Sequence, residues 1–133
     1  MNRKQRRMET RRNKAPPPKA ETAVQTLFAD AIRLHQAGRP GEAEQLYHQV
    51  LAIDPHHAGS LHLLGVFAYQ TGQPAIAATM IGKAIAENAS VALYHSDMGM
   101  AVAAQGKADE AVRHYRDALR VQRHFPAALK RQS

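Results

Sequence analysis

Shifting the 133-residue sequence against itself by 34 positions superimposes Gly38 on Gly72 and Gly106 without a gap, and the same shift superimposes Ala43 on Ala77 and Ala111. It also aligns the small residues Ala31, Gly65 and Gly99, the large residues Tyr47, Ile81 and Tyr115, and one turn later Val50, Ala84 and Ala118. Each aligned class has a packing reason: glycine permits a tight turn, small residues allow two helices to cross closely, and bulky ones fill the space between successive pairs. A period of this length describes a chain built from stacked supersecondary units, each unable to bury its apolar face alone.

Apolar residues recur within each unit at three- and four-residue spacing, as in Leu27, Ala31, Leu34; Leu46, Val50, Ile53; and Leu61, Leu64, Ala68. No period-two alternation of the strand type accompanies them, so the body is expected to be all helix. Breaks fall at residues 38–41, 54–57, 72–74, 88–90, 106–107 and 125–126, which predicts six helices of about twelve to sixteen residues. Pro40 and Pro74 stand where a helix can begin, because a first-turn residue needs no amide donor.

The net charge of +7 is concentrated at one end: residues 1–20 carry eight Lys or Arg against the single acid Glu9. That segment has almost no apolar side chains to offset the entropy of ordering, so it reads as a disordered basic tail. Pro16, Pro17 and Pro18 would form a short stiff spacer, with the folded part beginning near Glu21. Residues 21–112 hold nine acidic and four basic side chains, and residues 113–133 one acidic and six basic. Cysteine is absent, which removes disulfides and thiolate chemistry. No apolar run approaches a membrane span, and the charged start is followed by no signal-peptide apolar region, so an uncleaved cytoplasmic chain is expected.

The repeat pattern resembles the tetratricopeptide repeat family. Leu64-Gly65 and Met98-Gly99 match its Leu-Gly pair, Ala43 with Tyr47 and Ala111 with Tyr115 its later signature, and Asp54-Pro55 its closing turn. Asp30-Ala31 replaces the pair in the first unit, His95 takes the large opening position of the third, and Ala89 and Arg123 stand where the closing proline would be. The resemblance implies an all-α solenoid of three helix-turn-helix repeats, at about 24–57, 58–91 and 92–125, within a domain spanning 21–133. Leu129 continues the opening positions Leu27, Leu61 and His95, so a partial fourth unit is expected over 126–133. It is either a short partial cap or the front of a longer array.

The resemblance further implies a concave groove lined by the first helix of each pair. Its expected lining is Phe28, Ile32 and His35, then His62, Val66 and Tyr69, then Ser96, Met100 and Ala103. A mostly apolar floor of this kind suits a peptide or helix of a protein partner. It differs from the Lys and Asn clamp with which chaperone-adaptor members hold a C-terminal carboxylate, since Phe28, Ile32, His62 and Val66 stand at those places.

Catalysis, cofactors and metals find no support in the sequence. His95, Ser96 and Asp97 are consecutive on a helix and point about 100° apart, too divergent for a hydrolytic relay. His56, His57 and His62 lack a third ligand at metal spacing. Glu42 with Glu44, and Asp109 with Glu110, sit in first helical turns where the macrodipole favours acids. Arg113, Arg116, Arg120 and Arg123 form a stripe on the last helix, read as a solvated outer face.

The expected function is therefore a non-catalytic protein-interaction scaffold. Two alternatives stand beside it. One is the repeat region of a larger enzyme of glycosyltransferase, sulfotransferase or methyltransferase type, as in bacterial chains with similar repeats. The other is binding of nucleic acid or another anionic surface through Arg3, Lys4, Arg6, Arg7, Arg11 and Arg12, driven by counterion release. Self-association through the Val112 and Leu119 side of the last helix is a further expectation.

Overall fold

A computed structural model describes residues 18–124. Residues 1–17 of the expected disordered tail, with its six named basic residues, and the partial fourth unit fall outside that range. The described residues form six helices, α1 (Pro18–Gln36), α2 (Pro40–Ile53), α3 (Ala58–Gln70), α4 (Pro74–Glu87), α5 (Ala92–Ala103) and α6 (Ala108–His124). No strand occurs among them. The all-helical reading holds, and α2 and α4 begin at the prolines expected to start them. One boundary differs: α1 begins at Pro18, three residues before Glu21. Proline's fixed dihedral and missing amide suit a first helical position as well as an extended spacer, and the helix claims it.

Three helix pairs stack in order, α1 with α2, α3 with α4 and α5 with α6. Their internal turns are copies of one another. Gly38, Gly72 and Gly106 have φ of 79°, 79° and 81°, the left-handed region that other residues rarely enter. Around each, the glycine amide donates three residues back and the next amide five residues back, as in Gly38 to His35 (3.1 Å) and Arg39 to Leu34 (2.9 Å). This satisfies carbonyls that a helix end otherwise leaves unpaired.

Close approach of the paired helices depends on the small residues. A Cβ built on Gly65 of α3 would lie 2.6 Å from Ile81 Cγ1 of α4, and one on Gly99 of α5 would lie 2.6 Å from Tyr115 Cε1 of α6. Two connected cores result. Ala31, Ala43, Tyr47 and Leu64 join the first pair to α3, and Leu61, Ala68, Ala77, Ile81, Ala84, Tyr94 and Ala101 join the second pair to α5.

The joints between pairs also repeat. Asp54 Oδ1 accepts from the His56 amide and Asn88 Oδ1 from the Ser90 amide, both at 3.1 Å and 34 residues apart. His95, which breaks the large-residue rule of its position, is buried with Nε2 2.8 Å from the Ala89 carbonyl. Donation from Nε2–H there satisfies both groups, and a hydrogen-bonded imidazole replaces an apolar side chain at that joint. Among the described residues no helix is long and apolar enough to cross a membrane.

Candidate binding groove

The first helices of the pairs, α1, α3 and α5, carry all nine residues expected to line the groove. Three of them meet in one depression: Val66 and Tyr69 of α3 and Met100 of α5 line a cavity of about 150 Å³ together with Gln70, Ile81 and Asp97. Met100 is 42% exposed and Ala103 is exposed, whereas Ile32 and Ser96 are half-buried. Leu93 stands three residues before Ser96 and seven before Met100, which places it on the same helical face, and it is 57% exposed. The spacing alone was enough to find it.

Two expected groove residues are instead committed largely to packing. His62 is only 5% exposed, and its side chain reaches Asp97. Its Nε2 lies 2.6 Å from Asp97 Oδ2, and its ring lies 4.6 Å from that of Tyr94. This contact ties α3 to α5 and fixes the carboxylate at the cavity wall. Asp97 is the sole Asp, Glu, Lys or Arg in either helix, and the sequence weighs it only as a member of the His95, Ser96 and Asp97 run. In the fold His95 and Asp97 serve different partners.

Phe28 is the other. It is half-buried, packs against the first core, and lies edge-on to His57 at 4.6 Å between ring centroids. The absence of a side chain at Gly59 lets it in, since a Cβ there would be 2.7 Å from Phe28 Cζ. His35 Nδ1 lies 3.4 Å from the hydroxyl of buried Tyr47.

His57 also caps α3, with Nδ1 accepting from the Ser60 amide at 3.1 Å. That role needs Nδ1 unprotonated, and burial pushes its pKa below 6.5 against the opposing pull of Asp54. The unfolded chain then takes up the proton first as the medium acidifies. His57 thus contributes stability that is full above pH 6.5 and lost as pH falls from there through the folded-state value. Exposed His56 runs the other way, its pKa raised by the hydrogen bond and charge of Glu87, so its solvent-screened contribution is full below 6.5 and lost as pH rises through the folded value. Urea unfolding from pH 7.5 to 5 should show a midpoint falling with acid. His57→Asn, which keeps a capping acceptor without titrating, should flatten that fall; an unchanged slope would remove His57 as its source.

A tetratricopeptide repeat family model matches residues 34–98 and a second matches residues 91–125, so that together they span the six helices from the end of α1 through α6. The chain belongs to the tetratricopeptide repeat family. Its helix pairs are tetratricopeptide repeats, and similar arrays occur in solved structures of different character. An O-GlcNAc transferase mutant from Thermobaculum terrenum is 25% identical with a TM-score of 0.77, over 80% of this chain and 21% of that one. MamA is 22% identical with a TM-score of 0.71, over 77% of this chain and 60% of that one. The first tetratricopeptide domain of Spaghetti (RPAP3), bound to an HSP90 peptide, is 22% identical with a TM-score of 0.72, over 76% and 80%. The chain thus spans about a fifth of the length of the transferase it matches. The likeness to MamA and Spaghetti is one of fold.

Proposed function

We propose that this tetratricopeptide array is a non-catalytic scaffold that holds a peptide or helical segment of a partner protein in its concave groove. The observation that carries the reading is the depression between α3 and α5, where Val66, Tyr69 and Met100 offer apolar surface around the single carboxylate of Asp97. A pocket of this size takes one anchoring side chain, and anchors in desolvated pockets supply most of the energy of such contacts. Chaperone-tail binding is not proposed, although the Spaghetti domains are bound to an HSP90 peptide. A C-terminal carboxylate would meet Asp97, a like charge, with Phe28, Ile32, His62 and Val66 at the clamp positions.

Affinity capture with the double variant Val66→Ser, Met100→Ser tests the reading. Neither residue belongs to the two buried cores, so the fold should persist while recovery of the groove-bound partner falls at least tenfold, a loss of about 1.4 kcal/mol or more. Undiminished recovery by a variant with wild-type circular dichroism would contradict the groove assignment. Phe28 is unsuitable for this test because it also holds the first joint together.

A second reading has one observation in its favour. The match to a fifth of an O-GlcNAc transferase is compatible with this array serving as the repeat region of a larger enzyme. The coding sequence on either side of these residues tests it directly: an adjoining transferase domain supports it and unrelated reading frames count against it.

A further inference from the structure

The cavity between α3 and α5 is negative as well as apolar. Asp97 is the one acid of the two helices, which hold no Lys or Arg, and its register partners are Ala29 and Leu63. The third repeat alone therefore sets a carboxylate at this point of the groove. The Asp97 side chain keeps 21% exposure, and His62 Nε2 engages Oδ2. A carboxylate accepts through both oxygens, and a neutral imidazole donates one hydrogen bond without adding charge. Among the described residues Arg33, Arg39 and Arg120 pair with other acids, and no Lys or Arg pairs with Asp97.

Helix ends add to that charge. Tyr69 and Gln70 close α3, and Met100 lies three residues before the end of α5 at Ala103. The last turn of a helix carries the negative end of its macrodipole, equivalent to about half an elementary charge, and a cation there is stabilised. In α1 that place is filled by Arg33 and His35, whereas the last turns of α3 and α5 hold no basic side chain. One carboxylate and two uncompensated helix ends thus act on a space of about 150 Å³ walled by Val66, Ile81 and Met100. Resting on the groove reading above, we infer that this cavity selects a lysine or arginine of the partner segment, its methylene stem against Val66 and Met100 and its cation on Asp97. Asp97 is then the residue that determines specificity. Leu93 and Met100 stand exposed four residues before it and three after, so the base belongs between apolar residues. Residues 3–14 of this chain hold seven Lys or Arg with Met8 as their only apolar residue, and so lack that pattern.

Selection of displayed random dodecapeptides against the full chain tests this, repeated on Asp97→Asn and Asp97→Lys. The wild type should enrich peptides in which Lys or Arg is flanked by apolar residues. The net charge of +7 repels such peptides in general, so their enrichment reports a local site. Asp97→Asn keeps an acceptor for His62 and should weaken an enriched basic peptide at least tenfold at wild-type circular dichroism. Asp97→Lys should turn the preference to Asp and Glu. Enrichment of apolar peptides without a base, lost in Val66→Ser, Met100→Ser, would overturn the cation preference and leave the groove standing. Peptides indifferent to that double variant, or none enriched, would overturn both. A basic preference unchanged in Asp97→Lys would also overturn the proposal. So would a crosslink from a photoactivatable residue at position 100 to residues 1–17 or 125–133 of the same chain, which would give the cavity an internal occupant.

Discussion

Tyr47→Ala is expected to destabilise the protein by about 3–5 kcal/mol, the range for emptying a fully packed aromatic site. Tyr47 is 0% exposed and joins α1, α2 and α3 through Ala31, Ala43 and Leu64. Ala31 and Ala43 carry no side chain long enough to fill the space, and the helices that hold them are fixed by their turns. The repeat makes a sharper form of the prediction. Ile81 occupies the same register at 1% exposure, and Ile81→Ala should cost about 2–5 kcal/mol. Tyr115 occupies it at 38% exposure, and Tyr115→Ala should cost about 1 kcal/mol, the centre of the range for single substitutions. Urea unfolding of the three variants checks the gradient; equal losses at all three positions would mean that the last pair is covered in solution.

Gly65→Val is expected to destabilise by the opposite route, crowding. A Cβ at Gly65 falls 2.6 Å from Ile81 Cγ1 and 3.1 Å from the Ala77 carbonyl oxygen. Ile81 is buried on all sides and the carbonyl belongs to the α4 backbone, so α3 and α4 must separate. Overpacking of this kind costs about 1–3 kcal/mol or more, and the roughly 1 kcal/mol by which glycine disfavours a helix offsets little of it when a β-branched residue is inserted. At Gly99 the obstacle is the ring of Tyr115, which is partly exposed and can swing outward, so Gly99→Val should cost less. Thermal unfolding separates the two. If Gly99→Val were the more damaging, the account of how the pairs are held apart would be wrong.

The contrast between these glycines shows what could be read from the sequence. The 34-residue register located the turns, the crossing points and the bulky positions, because each is a local requirement that recurs. It could not say which copy is interior and which terminal in energetic terms, since Tyr47 and Tyr115 are the same letter with different neighbours. The groove divided in the same way. Val66, Tyr69 and Met100 were legible because their helical faces follow from the repeat. The pairing of His62 with Asp97 was not, because the register partner of His62 is Ser96 and the contact forms one residue off it. The half-buried state of Phe28 depends on Gly59, a gap that is visible only when α1 and α3 are placed side by side. The start of α1 at Pro18 shows the limit of composition: three consecutive prolines suggest a spacer, yet one of them is a sound first residue for a helix.

The claim on which the functional account rests is that a partner segment lies between α3 and α5. A photoactivatable crosslinking residue placed at Met100, with one at the exposed Thr79 of α4 as control, tests it inside cells. A discrete crosslinked species is expected at Met100, absent at Thr79 and mapping to a contiguous peptide of the partner. No crosslink at Met100, or the same species from both positions, would contradict it.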